Sequence, residues 1–386
     1  MNRFFAVAVA LLPITHLLAG ECRIASETIA DGVKEYTLGN GIIAVKCVPE
    51  TSGVISGFAS LPESREMISP LECLVVKDDL LPTQYHINRT GLRMLARGVK
   101  MSAVTTYKVR RCVSDGQTAE VVMAGRGYYR WNATAIQRVT LRRGESRVRI
   151  SLTLTAAGKF KNKLLLWING IASMGEARDR VLMPVRNVDE PRAGLGMAVF
   201  SADGIFLDCD PRGGDIYAAA LAPWIARTSA ERSGVLVLKL DDAFTAEGVF
   251  CAWKNGTSTL HTTEAIYGPL ALKKGEMREI VVEYIYFSKL TGLRAVSGPY
   301  GLDREDRAVL VASAAPVPAG KITLAWRDRA GKSGTLGEFP LPALTPGEVA
   351  KIDLSGCDMP DHCALIGSLP DGSHFELPEL VRIAGE

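Results

Sequence analysis

The chain has 386 residues, with 45 Lys and Arg against 42 Asp and Glu and 47% hydrophobic side chains. A formal charge of +3 with both signs interspersed excludes the concentrated basic face that a nucleic-acid or anionic-membrane partner requires. The length exceeds what one hydrophobic core usually serves, so two folded units are expected.

The chain begins MNRFFAVAVALLPITHLLAG, with a basic residue at Arg3, an apolar run from Phe4 to Leu12 and small residues at Ala19 and Gly20. This is the pattern of an export signal over residues 1–20, and it predicts a secreted or periplasmic mature protein. Pro13 and His16 interrupt the run short of the ~20 apolar residues of a spanning helix, and no later stretch reads as a membrane segment. Lipid anchoring at Cys22 is the lesser reading, because Glu21 stands where a small residue would precede the cysteine.

Beyond the leader, period-two alternation dominates. Strands are expected at 33–38, 41–47, 103–113, 118–125, 163–168, 234–240, 248–253 and 278–287. In RVRISLTLT (147–155), Val148, Ile150, Leu152 and Leu154 share one face, and the preceding AIQRVTL with its Arg142, Arg143, Gly144, Glu145 turn completes an antiparallel hairpin. SGPYGLDREDR (297–307) reads as a linker, followed by strands at 308–314, 321–328, 348–354, 363–369 and 376–383. The expected fold is all-β: a large antiparallel unit over 21–296, then an immunoglobulin-like β-sandwich over 297–386. Most of the eight cysteines lie in apolar runs and suit buried thiols, while Cys357 and Cys363 in SGCDMPDHC are the one expected disulfide. No Cys/His spacing fits a zinc site, so no metal or other cofactor is expected.

Three segments carry a family resemblance: LGNGIIAVKCVPETSGVISGF (38–58), QRVTLRRGESRVRISLTLT (137–155) and IYGPLALKKGEMREIVVEYIYF (266–287). Their order and pattern resemble the opening strands, central hairpin and closing strand of the galactose-mutarotase-like supersandwich superfamily. The resemblance covers residues 25–290 and implies a concave sheet that receives a sugar. Aldose epimerases of this fold use a histidine acid and a glutamate base, with a histidine in an Asn-His-Ser-like strand motif. The corresponding strand here, KLLLWINGIAS, has Trp167 and Asn169 but no histidine, so epimerase catalysis is not carried over.

Several residues are candidates for a site. In the polar cluster Tyr85, His86, Asn88, Arg89, the imidazole is suited to acid or base work near neutral pH and the guanidinium to a carboxylate. His86 and Glu264 could rebuild a protonatable pair. Trp167 and Asn169, two apart on a strand, offer a stacking platform and an amide to one sugar ring, with core packing an equal explanation for the tryptophan. Trp253 and Tyr267 are further aromatic candidates, for which core or rim packing is the plainer account. DCDPRGGD (208–215) could wrap calcium through Asp208, Asp210 and Asp215, although such clusters also make ordinary turns. The leading expectation is a secreted carbohydrate-binding protein; the alternatives are a carbohydrate-active enzyme (lyase, glycosidase or epimerase-like) and a structural envelope protein.

Overall fold

The computed structural model describes residues 20–29, 32–51, 53–67, 91–96, 107–128, 131–158, 164–170, 180–186, 205–209, 214–229, 232–244, 248–254, 261–270, 272–378 and 380–382. Nearly every regular element among them is a strand, as the alternation predicts. Residues 1–19 of the leader lie outside the described residues.

Strands β1 (Arg23–Thr28), β2 (Lys34–Gly39), β3 (Ile43–Val48), β4 (Val54–Ser60) and β5 (Arg65–Glu66) form a five-stranded antiparallel sheet in chain order. A large sheet follows, built from β6 (Gly91–Ala96), β7 (Lys108–Ser114), β8 (Thr118–Tyr128), β9 (Trp131–Arg142), β10 (Arg147–Ala156), β11 (Leu164–Gly170), β12 (Arg180–Arg186), β13 (Ile205–Cys209), β14 (Gly214–Ala220), β15 (Trp224–Thr228), β16 (Val235–Leu240), β17 (Val249–Lys254), β18 (His261–Leu270) and β19 (Met277–Phe287). Its hydrogen-bonded order is β6-β11-β18-β17-β14-β12-β15-β16-β19-β10-β9-β8-β7, with β13 also on β12.

The central hairpin shows why these residues make these strands. Val148, Ile150, Leu152 and Leu154 are all buried, and the turn closes through Gly144 at φ 73°, a conformation that costs a glycine little. Each such aliphatic side chain contributes about 1.5–3 kcal/mol by leaving water.

The sheet folds over at one corner. Strands β14 and β15 both run antiparallel to β12, which they meet at Ala219 and Ala220 and again at Ala226, Arg227 and Thr228. They behave as one strand bent at Leu221, Ala222 and Pro223. One layer is therefore β6-β11-β18-β17-β14 and the other β15-β16-β19-β10-β9-β8-β7. The layers face one another, for Arg227 of β15 donates from Nε to Thr263 Oγ1 of β18 at 2.9 Å although these strands are not ladder neighbours. The main core fills the interior with Val181, Ala218, Ile225, Leu236, Phe250 and Ala265. It continues through Val139, Leu152 and Val282 to Val45 and Phe58 of the small sheet.

The remaining strands are β20 (Ala295–Ser297), β21 (Tyr300–Glu305), β22 (Ala308–Ser313), β23 (Gly320–Arg327), β24 (Ser333–Leu341), β25 (Val349–Asp353), β26 (Ala364–Ser368), β27 (His374–Leu377) and β28 (Leu380–Arg382). Two four-stranded sheets, β20-β21-β22-β25 and β24-β23-β26-β27, enclose a separate core that includes Leu302, Val311, Leu324, Ile352, Leu365 and Phe375. The back of β22, at Leu310 and Ala312, packs on Leu182, Trp224, Val237, Ile285 and Phe287 of the large sheet.

Three expectations are corrected. The apparent linker at 297–307 contains β21, whose Tyr300 and Leu302 are buried. Its polar residues are tied down: Arg294 lies 3.5 Å from Asp303, and Arg304 donates to the Cys363 carbonyl. Gly301 accommodates the Phe287 ring, which a Cβ there would meet at 2.6 Å. The single strand expected at 376–383 is two, because Pro378 has no N–H to continue a ladder; β27 stays with its sheet while β28 pairs in parallel with β13. Cys357 and Cys363 are free thiols. The Cys363 thiol is buried and donates to the Pro360 carbonyl at 3.2 Å. Arg307 holds the loop instead, donating to the Cys357 carbonyl at 3.1 Å and to Asp361 at 3.3 Å.

Candidate functional site

In an antiparallel ladder, directly opposed residues lie on the same face of the sheet. Ile168, Ala265, Phe250 and Ala218 oppose one another across β11, β18, β17 and β14. The last three are fully buried in the main core, so this row marks the interior face of the layer.

The alternate positions belong to the other face. One row across it is Gly91, Asn169, Glu264, Cys251 and Tyr217. The next runs Arg93, Trp167, Ile266, Val249, Ala219 and Arg186. On the other side of the first row stand Thr262, Trp253 and Asp215. Trp167, Asn169, Glu264 and Trp253, scattered over 98 positions of sequence, therefore occupy three adjoining rows of one face. Val249 and Ala219, nearest the corner, are fully buried, which bounds the face on that side.

Tyr267 does not belong to this group. It opposes Leu166 and has the parity of Ala265, an interior-face position. Tyr85, His86 and Arg89 lie outside the described residues; their segment joins β5 to β6, whose first residue, Gly91, opposes Asn169. Asp210 is also outside them. Asp208 on β13 opposes Leu182 of β12, whereas Asp215 on β14 opposes Trp253 of β17. Among the described residues no three His, Cys, Asp or Glu gather in a metal-binding group, and no helix is long and apolar enough to cross a membrane.

Sequence reading missed Arg93, Arg186, Asp215, Tyr217 and Thr262 as members of this face. Their strands are short or carry small residues, as in GLRMLA and GDIYAAA, and present no sustained alternation. Only the ladder register brings them together.

Beneath the face, the Arg227 side chain is fully buried on the interior side and grips Thr263, the residue before Glu264. A buried guanidinium is costly to place and costly to disturb. It fixes the height of β18 over β15, and so the backbone that carries Glu264. A second polar cluster clips the small sheet to the large one. The Tyr286 hydroxyl donates to Glu63 Oε2 at 2.5 Å, and Arg65 donates to the Ser233 carbonyl at 3.0 Å and to the Tyr286 oxygen at 3.4 Å. Burial, reinforced by the Glu63 carboxylate, raises the Tyr286 phenol above its ordinary pKa, so it remains a hydrogen-bond donor.

No family model matches the chain, and no curated protein matches it in sequence. Solved structures do resemble it. A galactose mutarotase-like protein from Clostridium acetobutylicum superposes with TM-score 0.51 at 10% identity, covering 69% of this chain and 98% of that one. A candidate aldose 1-epimerase from Klebsiella pneumoniae gives TM-score 0.51 at 10% identity, covering 72% of this chain and 87% of that one. The chain thus has the galactose mutarotase-like fold, as the order of its strands and hairpins predicts.

Proposed function

We propose that this chain is an exported carbohydrate-binding protein that receives a glycan on the outward face of β6, β11, β18, β17 and β14. The observation that carries the reading is the shared face of Trp167, Asn169, Glu264 and Trp253. Two indoles offer flat apolar surface to pyranose rings, while the amide and carboxylate supply directional partners for hydroxyls. The fold supports the same class of ligand, since solved proteins that share it are described as galactose mutarotase-like. Export by a cleaved leader, rather than a lipid anchor, is supported by Cys22, which is buried with its thiol donating to the Gln117 carbonyl at 3.2 Å. The unit from Ala295 onward serves in this reading as an immunoglobulin-like spacer or docking module.

A second reading, sugar chemistry at the same face, is favoured by the direct opposition of Glu264 and Asn169. His86, on the segment leading into β6, would then supply the second proton-transfer group. Residues 21–386 should be screened against a panel of oligo- and polysaccharides, recording thermal shift and release of reducing or unsaturated ends together. A shift without product, lost in Trp167→Ala, is the expected result. Product release that disappears in Glu264→Gln replaces binding by catalysis, and silence in both channels removes the carbohydrate reading.

A further inference from the structure

The last described strand does not belong to the sandwich it leaves. After β27 the chain passes Pro378, and β28 runs parallel to β13, with Leu380 opposing Phe206, Val381 opposing Leu207 and Arg382 opposing Asp208. This is the one parallel pairing among the described strands. Parallel strands need a long crossover, and here that crossover is the whole C-terminal sandwich. The departure point is held by Arg294, at the junction of the two units, whose Nη1 donates to the Pro378 carbonyl at 2.8 Å. Arg294 is in turn paired with Asp303 in β21.

The acceptor strand has a particular place. Strand β13 lies on β12, and β12 braces the corner where β14 turns into β15. Four residues separate Cys209, the end of β13, from Gly214, the start of β14. Asp215 and Tyr217 of β14 belong to the outward face described above. The ladders therefore link β13 to the candidate face through β12. The ladder that holds β28 on β13 is short, with three opposed pairs against nine between β10 and β19. Short peripheral ladders open at far lower cost than the central strands of a sheet. The edge they cover is also a template for another strand when bare.

We propose that β28 is a releasable strap: docked, it completes the edge of β13 and couples the C-terminal sandwich to the corner of the large sheet. Released, it bares that edge and loosens the β12–β13–β14 ribbon. The inference concerns the backbone alone and does not depend on the carbohydrate reading.

Amide hydrogen exchange on the full mature chain and on a variant ending at Pro378 tests it. In the full chain, amides of 380–382 and 205–209 should exchange together, at least a hundredfold faster than those of β10 and β19. In the shortened chain, protection of 205–209 and of 214–220 should fall tenfold or more while β10, β19 and the C-terminal core keep theirs. Unchanged protection of 205–209 after truncation overturns the proposal, as does exchange of 380–382 as slow as β10 in the full chain. Should truncation prevent folding, a crosslink between Leu207→Cys and Val381→Cys, made with all eight native cysteines replaced, provides the second arm. It should slow exchange of 205–209 and 214–220 in the folded protein, and no slowing would equally overturn the strap.

Discussion

The two layers of the large sheet differ in the residues that their ladders place on the face away from the shared core. On β8, β9, β10, β19 and β16, charges are placed to neutralise one another. Arg138 lies 3.2 Å from Glu120, and Arg147 and Lys239 lie 3.9 and 4.0 Å from Glu283. Glu283 stands directly between Arg149 and Lys239 across the strands. Opposed charges of this kind satisfy one another across the strands, and the pair whose arginine stands in solvent, Arg138 with Glu120, contributes little. On β6, β11, β18, β17 and β14 the corresponding positions hold two tryptophans, a tyrosine, an asparagine and a glutamate in adjoining rows. Arg93, Asp215 and Arg186 share these rows, so the two faces differ in their aromatic and amide content rather than in charge alone.

The largest expected effects test whether the layers divide labour between stability and binding. Leu152→Ala, in the fully buried row of β10, should lower unfolding free energy by about 3 kcal/mol and leave ligand affinity of the folded fraction unchanged. Trp167→Ala should do the reverse, weakening binding at least tenfold, or about 1.4 kcal/mol, in a titration against the best ligand from the panel. Equal loss of stability in both variants would make Trp167 a core residue and end the contrast.

Tyr267 sharpens the point, because it lies on the same strand as Glu264 but with interior parity. Tyr267→Ala should cost about 3 kcal/mol in denaturant unfolding, with affinity intact. A variant as stable as the parent but unable to bind would reverse the assignment of faces.

These two residues also show what the sequence could disclose. Long alternating runs such as RVRISLTLT announce their own strands, because one buried face is written into every second residue. The hairpin and the order of segments around it were enough to suggest the fold. Tyr267 shows the limit. As an aromatic in IYGPL it looks as suitable for a sugar as Trp253, and only its partner across the ladder reveals its parity. Arg93 and Tyr217 were hidden for the same reason, since a site assembled from five strands exists in the register between segments. The apparent linker misled through composition: Asp303 and Arg304 read as solvent-exposed until Arg294 and the Cys363 carbonyl are seen to satisfy them.

Asp303 gives a pH-dependent test at the junction of the two units. Burial raises its carboxyl above the ordinary range, opposed in part by a backbone hydrogen bond and by Arg294. The folded chain thus holds this proton more tightly than the unfolded chain does. The group favours folding most below the unfolded carboxylate pKa, and that contribution is lost as pH rises through the raised folded value. Urea midpoints of parent and Asp303→Asn, measured from pH 3 to 7, should therefore converge or cross in favour of the variant as pH rises. A variant that loses ground over that range would mean that the Arg294 pairing outweighs burial.

The smallest expected effect is the most direct comparison of the two faces, since it asks the same chemical change of each. Glu283→Gln removes one charge from the ladder of the second layer, where Arg147 and Lys239 are near the limit of ion-pair distance. The cost should be about 0.5 kcal/mol or less. It should shrink further in 1 M salt, where the Debye length is about 3 Å, and it should leave binding untouched. Glu264→Gln makes the identical substitution opposite Asn169. There the replacement turns an acceptor-only group into one that also donates, so a ligand hydroxyl that gave its proton to the carboxylate meets a changed partner. Binding should weaken by more than the Glu283 variant shifts stability, and salt should not abolish the difference. If the two substitutions were indistinguishable in a binding titration, the outward face of the first layer would be another solvated sheet surface, and its tryptophans would have to be explained by packing.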